Sequence, residues 1–300
     1  MQMSVKVHQI KEITCLVCGR CTRICPTEHL EMRRGNIVAS PDPDKPCIRC
    51  GHCMASCASE SIMVDGFNYE DFTELPESIP SYDEVVNLYN HRRSIRHFRI
   101  KEVSRSSLER VVSAAAIIPI FYPPQKIEIT VLSSKDQVAK IAGPAIRELK
   151  IWAHGFADNG THDVVNFFVP DGSPAKFTEE VLPNIRRIVH KHELGEDTLC
   201  HRTPAMLIFH CKRDEVYARE MSWIALSHAM LAAEAEGLGS CILGLVAPAI
   251  NRSVELGKML NIPESNDVYC CLSMGYASES YHRTIPKKFG NVTYLDNSES

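Results

Sequence analysis

Apolar and polar positions change their spacing along the chain, and the change marks out two unequal halves. In the first half only short apolar runs stand out. Ile37-Val38-Ala39 and Ile62-Met63-Val64 predict hairpin strands. Between residues 67 and 83 the chain is acidic and proline-bearing (Glu70, Asp71, Glu74, Pro76, Glu77, Pro80), which predicts a surface linker. Helical spacing then takes over. Val85, Val86, Leu88 and Tyr89 form the apolar side of a helix that opens at Tyr82, with Ser81 or Asp83 as its cap. A second helix is predicted over 104–116 behind a serine-rich start. A long one, over 215–236, packs a face of Ala, Leu and Met. Strands are predicted over 127–132, 204–211 and 268–275. Helices and strands interleave without a regular βαβ period, so the expected fold class is α+β, a small domain followed by a larger one. The division expected is residues 1–75, with the linker, and residues 76–300.

Composition narrows the function classes. A chain of 300 residues has room for roughly two domains with their own cores. The formal net charge of -4 and the lack of long basic runs give no sign of nucleic-acid binding. The first ten residues carry Lys6 and His8 and offer no signal-peptide core. No later stretch is an uninterrupted apolar span. The most apolar stretch, 223–250, contains His228, Glu234 and Glu236 and reads as a buried helix and loop. Cys200, Cys211, Cys241, Cys270 and Cys271 read as buried small hydrophobes, and free thiols suit a reducing cytoplasm, the expected location.

The chemistry of the first half lies in its cysteines. Eight of the 13 fall in two copies of one run: Cys15-x2-Cys18-x2-Cys21-x3-Cys25, followed by Pro26, and Cys47-x2-Cys50-x2-Cys53-x3-Cys57. Structural zinc usually takes Cys-x2-Cys pairs separated by a longer insert, and three cysteines at successive x2 spacing suit one tetrahedral ion poorly. Disulfides would require an oxidising compartment, which nothing indicates. Three thiolates on one tight loop suit three corners of an iron–sulfur cube. Residues 1–66 resemble a bacterial-type ferredoxin with two 4Fe–4S clusters. That resemblance implies that the last cysteine of each run crosses to the other cluster, giving Cys15, Cys18, Cys21 and Cys57 for one and Cys47, Cys50, Cys53 and Cys25 for the other.

In the second half, His91-Arg92-Arg93-Ser94-Ile95-Arg96-His97-Phe98 packs three arginines and a serine into five positions. Guanidinium forks and a hydroxyl suit a dianionic phosphate, although basic clusters are often only solvated surface. The pattern Arg-Arg-Ser-x-Arg-x-Phe resembles the FMN-phosphate motif of the nitroreductase superfamily, and further landmarks follow in that family's order. Around Pro119 to Val131, Pro119 and Gln125 keep their places in the family pattern, while Ile120, Pro123 and Ile127 replace its serine, asparagine and tryptophan. The Pro123-Pro124 version resembles the branch fused to ferredoxin domains. Ala232-Ala233 through Gly237-Leu238-Gly239-Ser240-Cys241 is similar to the stretch after which a backbone N–H near Leu243, Gly244 or Leu245 donates to flavin N5. Without the resemblance, Gly237 and Gly239 read as a helix C-cap and turn. They are not a dinucleotide fingerprint, because they end a helix and Ile242 stands where a third glycine would be needed. Leu260 to Pro263, Met274-Gly275-Tyr276, and Arg283 through Lys287-Lys288 match the closing pattern.

The resemblance covers residues 82–289. It implies an FMN-dependent nitroreductase-like oxidoreductase whose cofactor contacts are Arg92, Arg93, Ser94, Arg96, Pro123, Pro124, Gln125, Leu243, Gly244, Leu245, Lys287 and Lys288. It also implies a homodimer and no essential catalytic side chain, since the flavin carries the chemistry. Electrons are expected to come from a low-potential donor, a ferredoxin or an NAD(P)H-linked carrier, and to go to a small organic acceptor: a nitro compound, quinone, flavin or activated alkene. The alternatives are a non-catalytic carrier serving a protein partner and a reductive dehalogenase of the same superfamily. No membrane partner is expected. His190, His192 and His201 read as surface histidines, and His210-Cys211 as packing at a strand end.

Overall fold

The computed structural model describes residues 8–118, 126–154, 162–169 and 171–295. The chain divides into two compact units, one running to Ile79 together with Ile118–Ile127, the other comprising Pro80–Ile117 and Glu128 onwards.

The first unit is built on a structural repeat. β1 (His8–Ile10), α1 (Arg20–Arg23), β2 (Leu30–Arg33), β3 (Asn36–Ala39), α2 (His52–Ala55) and β4 (Ile62–Val64) follow in order. β2 and β3 form the expected hairpin, with Leu30 opposite Ala39. β4 is not a hairpin strand. It pairs antiparallel with β1 from the start of the chain, His8 opposite Val64, which brings the two ends of the unit together. Each cysteine loop leads into a single helical turn through a left-handed glycine, Gly19 (φ 67°) or Gly51 (φ 76°). Val17 and Arg49 take the same left-handed backbone at φ 48° and 53°, and so do Glu28 and Glu60 beyond the two helices. A β-branched valine is strained there, so a tight loop rather than local preference sets its conformation.

The linker is shorter than its composition suggests. Asn68 caps a 3-10 turn, Tyr69–Asp71, and Phe67, Tyr69 and Phe72 pack onto the first unit's core of Leu30, Ile37, Met54, Ile62 and Val64. The Tyr69 hydroxyl donates to the Ile62 carbonyl at 2.8 Å. Acidic residues interleaved with these aromatics hid an apolar anchor inside a polar-looking segment.

The second unit opens with α3 (Tyr82–His91), which starts in a capping box: the Ser81 hydroxyl accepts from the Glu84 N–H, and the Glu84 carboxylate accepts from the Ser81 N–H. Ser81, not Asp83, is therefore the cap. Val85, Val86 and Leu88 are half-buried, but Tyr89 is exposed, contrary to the apolar side expected for it. α4 (Arg105–Ala115) follows, capped by Ser104. Next come β5 (Glu128–Leu132), α5 (Lys135–His154), α6 (His162–Phe168), α7 (Pro174–Lys176) and α8 (Leu182–Glu193). Phe177–Val181 joins α7 to α8 as a π turn. Pro183 lacks the N–H that would continue the ladder there, so the helix widens. β6 (Ala205–Lys212), α9 (Ala218–Ala235), β7 (Gly239–Ile242), α10 (Val246–Arg252), α11 (Val254–Met259) and β8 (Asn266–Gly275) complete the unit. α9 starts three residues later than its apolar pattern suggests, after Tyr217 at φ 61°. β7 lies inside the stretch expected to be only helix and loop.

The four strands form one antiparallel sheet in the order β5-β6-β8-β7. Residues Ala205 to Cys211 of the central strand β6 are all buried, as an uninterrupted apolar strand requires when helices cover both faces of a sheet. On one face Met206, Ile208 and Cys271 join a core made with α5, α8 and α10. On the other lies α9, whose Ser222 carbonyl accepts from the Cys270 thiol at 3.4 Å.

Residues 92–99 run across the ends of β7 and β8 as a strap. The Ile95 N–H donates to Ser240 O at 2.9 Å, the Arg99 N–H to Tyr276 O at 2.8 Å, and the Ser278 N–H to His97 O at 3.0 Å. Two glycines permit this approach. A Cβ at Gly239 would overlap the Ile95 side chain, and one at Gly275 would stand 2.5 Å from Pro204 and 2.8 Å from Phe98. Gly237 does the capping, with φ 72° and its N–H on Glu234 O at the end of α9.

Gly239→Ala should destabilise the second unit by overpacking, about 1–3 kcal/mol. Gly143→Ala, where an added Cβ meets nothing within 4 Å, should not. Denaturant midpoints followed by the fluorescence of Trp152 and Trp223, both in this unit, check the contrast; equal midpoints would show that the strap yields freely.

Candidate functional site

In the first unit the repeat brings cysteines from both runs to each of two small cavities. Cys15, Cys18 and Cys21 wall one with Cys57, and Ile10, Leu16, Ile37 and Ile62 complete it. Cys47, Cys50 and Cys53 wall the other with Cys25, beside Leu30, Ile48 and Val64. The fourth cysteine of each run, just beyond its helical turn, lines the cavity of the other run. No disulfide joins them. Among the described residues no three His, Cys, Asp or Glu side chains converge on a point that could hold a single metal ion. Thiols ringed around a cavity fit the corners of an iron–sulfur cube better than one zinc ion.

Burial works against ionisation of most of these thiols. Burial pushes the Cys53 thiol up to about 12, and the neighbouring thiols of Cys50, Cys47 and Cys21 add to it. Burial raises Cys21 and Cys47 as well. At Cys25 and Cys57 burial acts the same way, but donors outweigh it. The N–H groups of Leu30 and Ser61 respectively, with the hydroxyls of Thr27 and Ser59, hold these two thiols below their ordinary value. The Arg49 N–H donates to Cys47 Sγ at 3.3 Å, and the Ser61 N–H to Cys57 Sγ at 3.4 Å. Such bonds stabilise thiolate charge and tune cluster potential.

In the second unit the strap holds Arg92, Ser94 and Arg96 around the buried Cys241 thiol. Burial raises that thiol, while the charges of Arg96 and Arg92 and a hydrogen bond from Ser94 oppose it. Arg93 turns elsewhere: its guanidinium donates to the carbonyls of Arg92 (2.9 Å) and Arg283 (3.1 Å) and lies 5.9 Å from the Tyr281 ring centre. Two buried polar atoms beside the strap, Arg93 Nε and Ser240 Oγ, have no partner among the described residues. Past β7 the chain passes along an open cleft of about 1100 Å3, whose lining includes Arg96, Leu243, Gly244 and Leu245. A Cβ at Gly244 would meet nothing within 4 Å, so this backbone is open to a ligand. Lys287 and Lys288 are exposed in the irregular segment after β8. Pro119, Ile120, Pro123, Pro124 and Gln125 lie outside the described residues.

Residues 89–276 match the sequence model of the nitroreductase family. The chain belongs to the nitroreductase family. It is therefore an oxidoreductase of the FMN-dependent nitroreductase type, and residues 14–62 match the 4Fe-4S dicluster domain, which adds iron–sulfur electron transfer to it. Among solved structures, the second unit is similar to an FMN-bound nitroreductase from Bacteroides fragilis, at 17% identity and a TM-score of 0.54 over 71% of this chain and 99% of that one. It is also similar to an FMN-bound nitroreductase from Desulfitobacterium hafniense, at 19% identity and a TM-score of 0.53 over 71% and 98%. At such identities the likeness shows the fold. No curated protein matches the chain. No helix is long and apolar enough to cross a membrane among the described residues.

Sequence reasoning missed the far wall of the cleft, where Arg187, Asp197, His201 and Arg202 face the strap. Their segment looks like mixed-charge surface, and only α8 and the turn after it bring them to the site. His201 is held at about 4, down from 6.5, chiefly by burial, with Arg96, His97 and Arg187 adding to the shift and Asp197 opposing it. His210, buried between Thr130 (3.1 Å) and Asn266 (3.0 Å), is also lowered by burial. Burial favours the neutral form of both in the folded unit, whereas the unfolded chain takes up their protons near pH 6.5. Stability present above pH 6.5 should thus drain away as the pH falls towards 4. His201→Gln should flatten the dependence of the unfolding midpoint on pH in this window; an unchanged slope would assign the acid sensitivity elsewhere.

Proposed function

We propose that the chain is an iron–sulfur flavoprotein that takes electrons singly from a low-potential donor, a ferredoxin or an NAD(P)H-linked carrier, through two 4Fe–4S clusters to FMN, and delivers them to a small organic acceptor. The carrying observation is the pair of cavities, each lined by four cysteines, in a chain whose other unit belongs to the nitroreductase family. FMN, when bound, exchanges electrons both singly and in pairs, which is what joining one-electron clusters to a two-electron acceptor requires.

The chain's own residues then have separate tasks. Arg92, Ser94 and Arg96, brought by the strap to the neighbourhood of Cys241, would grip the phosphate and the polar edge of the flavin, with Lys287 or Lys288 as further phosphate partners. Arg93 ties the strap to the closing segment through Arg283 O. The open backbone at Leu243, Gly244 and Leu245 would lie against the flavin ring, and Pro123, Pro124 and Gln125 are assigned beside it by family resemblance. A cleft of this size next to Gly244 favours turnover of a small acceptor, such as a nitro compound, quinone, flavin or activated alkene, over service as a bare carrier. A second copy of the chain is the expected partner. Phe289, Tyr294 and Leu295, each at least 80% exposed after β8, supply apolar surface for it.

Arg92→Ala should weaken FMN binding about ten- to a hundredfold, the loss of one charge-assisted bond, and leave iron content unchanged. Equilibrium dialysis of FMN decides this; unaltered affinity would give the arginine another purpose. The electron route is tested by stopped-flow reduction of the flavin in intact and Cys50→Ser protein, with reduced ferredoxin, NADH and NADPH as donors. The variant should be reduced slowly by the natural donor yet normally by a chemical reductant. Equal rates with every donor would mean that electrons enter at the flavin directly.

A further inference from the structure

The cleft beside Gly244 has an unbalanced charge. Arg96, Arg99, Lys101, Lys135, Arg187 and Arg202 line it, against four carboxylates. Two of those carboxylates are already committed. Asp197 accepts the backbone N–H groups of Leu199, Cys200 and Arg202 at 2.8–3.1 Å, and Glu196 pairs with Lys191 at 3.0 Å. None of the six cations lies within ion-pair distance of a carboxylate among the described residues. Arg99 and Lys101 have other partners, the Ala277 carbonyl and the Tyr276 ring. Arg187 donates only to the neutral Asn184 Oδ1, at 2.8 Å, and Arg202 to the Gly195 carbonyl. Lys135 stands at the start of α5, on the same lining.

Arg96, His97 and Arg187 each act on the half-buried His201, which lines the same cleft. Lys135, Arg187 and Arg202, from α5, α8 and the turn at His201, are cations of this lining that the proposed flavin site does not use. Apolar side chains, Phe168, Ile188 and Leu199, line the same cleft. Unpaired cations over an apolar lining select a ligand with a flat apolar body and an anionic group.

We propose that the acceptor bound in this cleft is an organic anion, an aromatic or quinonoid ring bearing a carboxylate or a group of like charge, received by Arg187 and Lys135 with its ring directed towards Leu243–Leu245. The inference rests on the flavin site proposed above for its chemistry, but its recognition step needs no turnover. Arg187 binds the anion, and Asn184 acts as a positioning residue through its bond to the guanidinium.

Equilibrium binding to the flavin- and cluster-loaded protein, measured by calorimetry with 4-nitrobenzoate and nitrobenzene as paired probes, tests this. The carboxylated probe should bind about tenfold more tightly at low salt, and the preference should shrink as salt rises to about 0.5 M. The double variant Arg187→Gln, Lys135→Gln should abolish the preference, Arg187→Lys should retain part of it, and Lys150→Gln, at a cation outside the cleft, should leave it alone. Circular dichroism and flavin content show that the variants are folded. Equal affinity for the two probes, or a preference that survives in the double variant, overturns the proposal. A preference for 4-nitrobenzoate in a protein that reduces neither probe would keep the anion site and sink the proposed reductase activity instead.

Discussion

The second unit depends on one close approach, that of the strap 92–99 to the ends of β7 and β8. The strap belongs to no strand, so its place is set by backbone bonds to Ser240 and Tyr276 and by the space that Gly239 and Gly275 leave for Ile95 and Phe98. The arginines and the serine of the candidate flavin site hang from it. Arg92, Ser94 and Arg96 all act on the Cys241 thiol, and Arg96 through Lys101 also form a wall of the cleft. A shift of the strap by the width of a methyl group would move both the proposed phosphate grip and the cleft wall. The two glycines are therefore conditions for the site even though neither is assigned to touch a ligand.

In the first unit the governing balance is between burial and charge. Thiols that must become thiolates are packed against Leu30, Ile37, Ile62 and one another, and burial drives Cys53 and Cys21 away from ionisation. A bound metal cluster would supply the positive charge that thiolates need, and its binding would then be coupled to the folding of this unit. The left-handed residues Val17 and Arg49 show how tightly the two cysteine loops bend the backbone. The two halves of the repeat are not equivalent. Cys18 is exposed where its counterpart Cys50 is half-buried, and Cys21 is half-buried where its counterpart Cys53 is buried.

Much of this was legible in the residues alone because it is local. The cysteine spacing, the capping residues Ser81 and Ser104 and the apolar runs of β5, β6 and β8 each act within a few positions of the chain, and helices and strands formed there within a few residues of expectation. The Arg-Arg-Ser-x-Arg stretch was legible for the same reason, as a dense set of donors.

What the chain could not disclose by itself were relations between distant segments. The pairing of β4 with β1, the return of Phe67, Tyr69 and Phe72 to the first core, and the exposure of Tyr89 all depend on which surfaces meet. β7 was hidden inside an apolar stretch because a short buried strand and a buried helix look alike until a neighbouring strand claims the backbone. The glycine after Leu238 reads as a turn residue in sequence, and only the fold shows that the Ile95 side chain occupies the space its own would need. The mixed-charge segment at 187–202 reads as solvated surface for a similar reason. A charge looks the same from the sequence whether it faces water or a cleft, and that is decided by packing, through which side of α8 turns towards the strap.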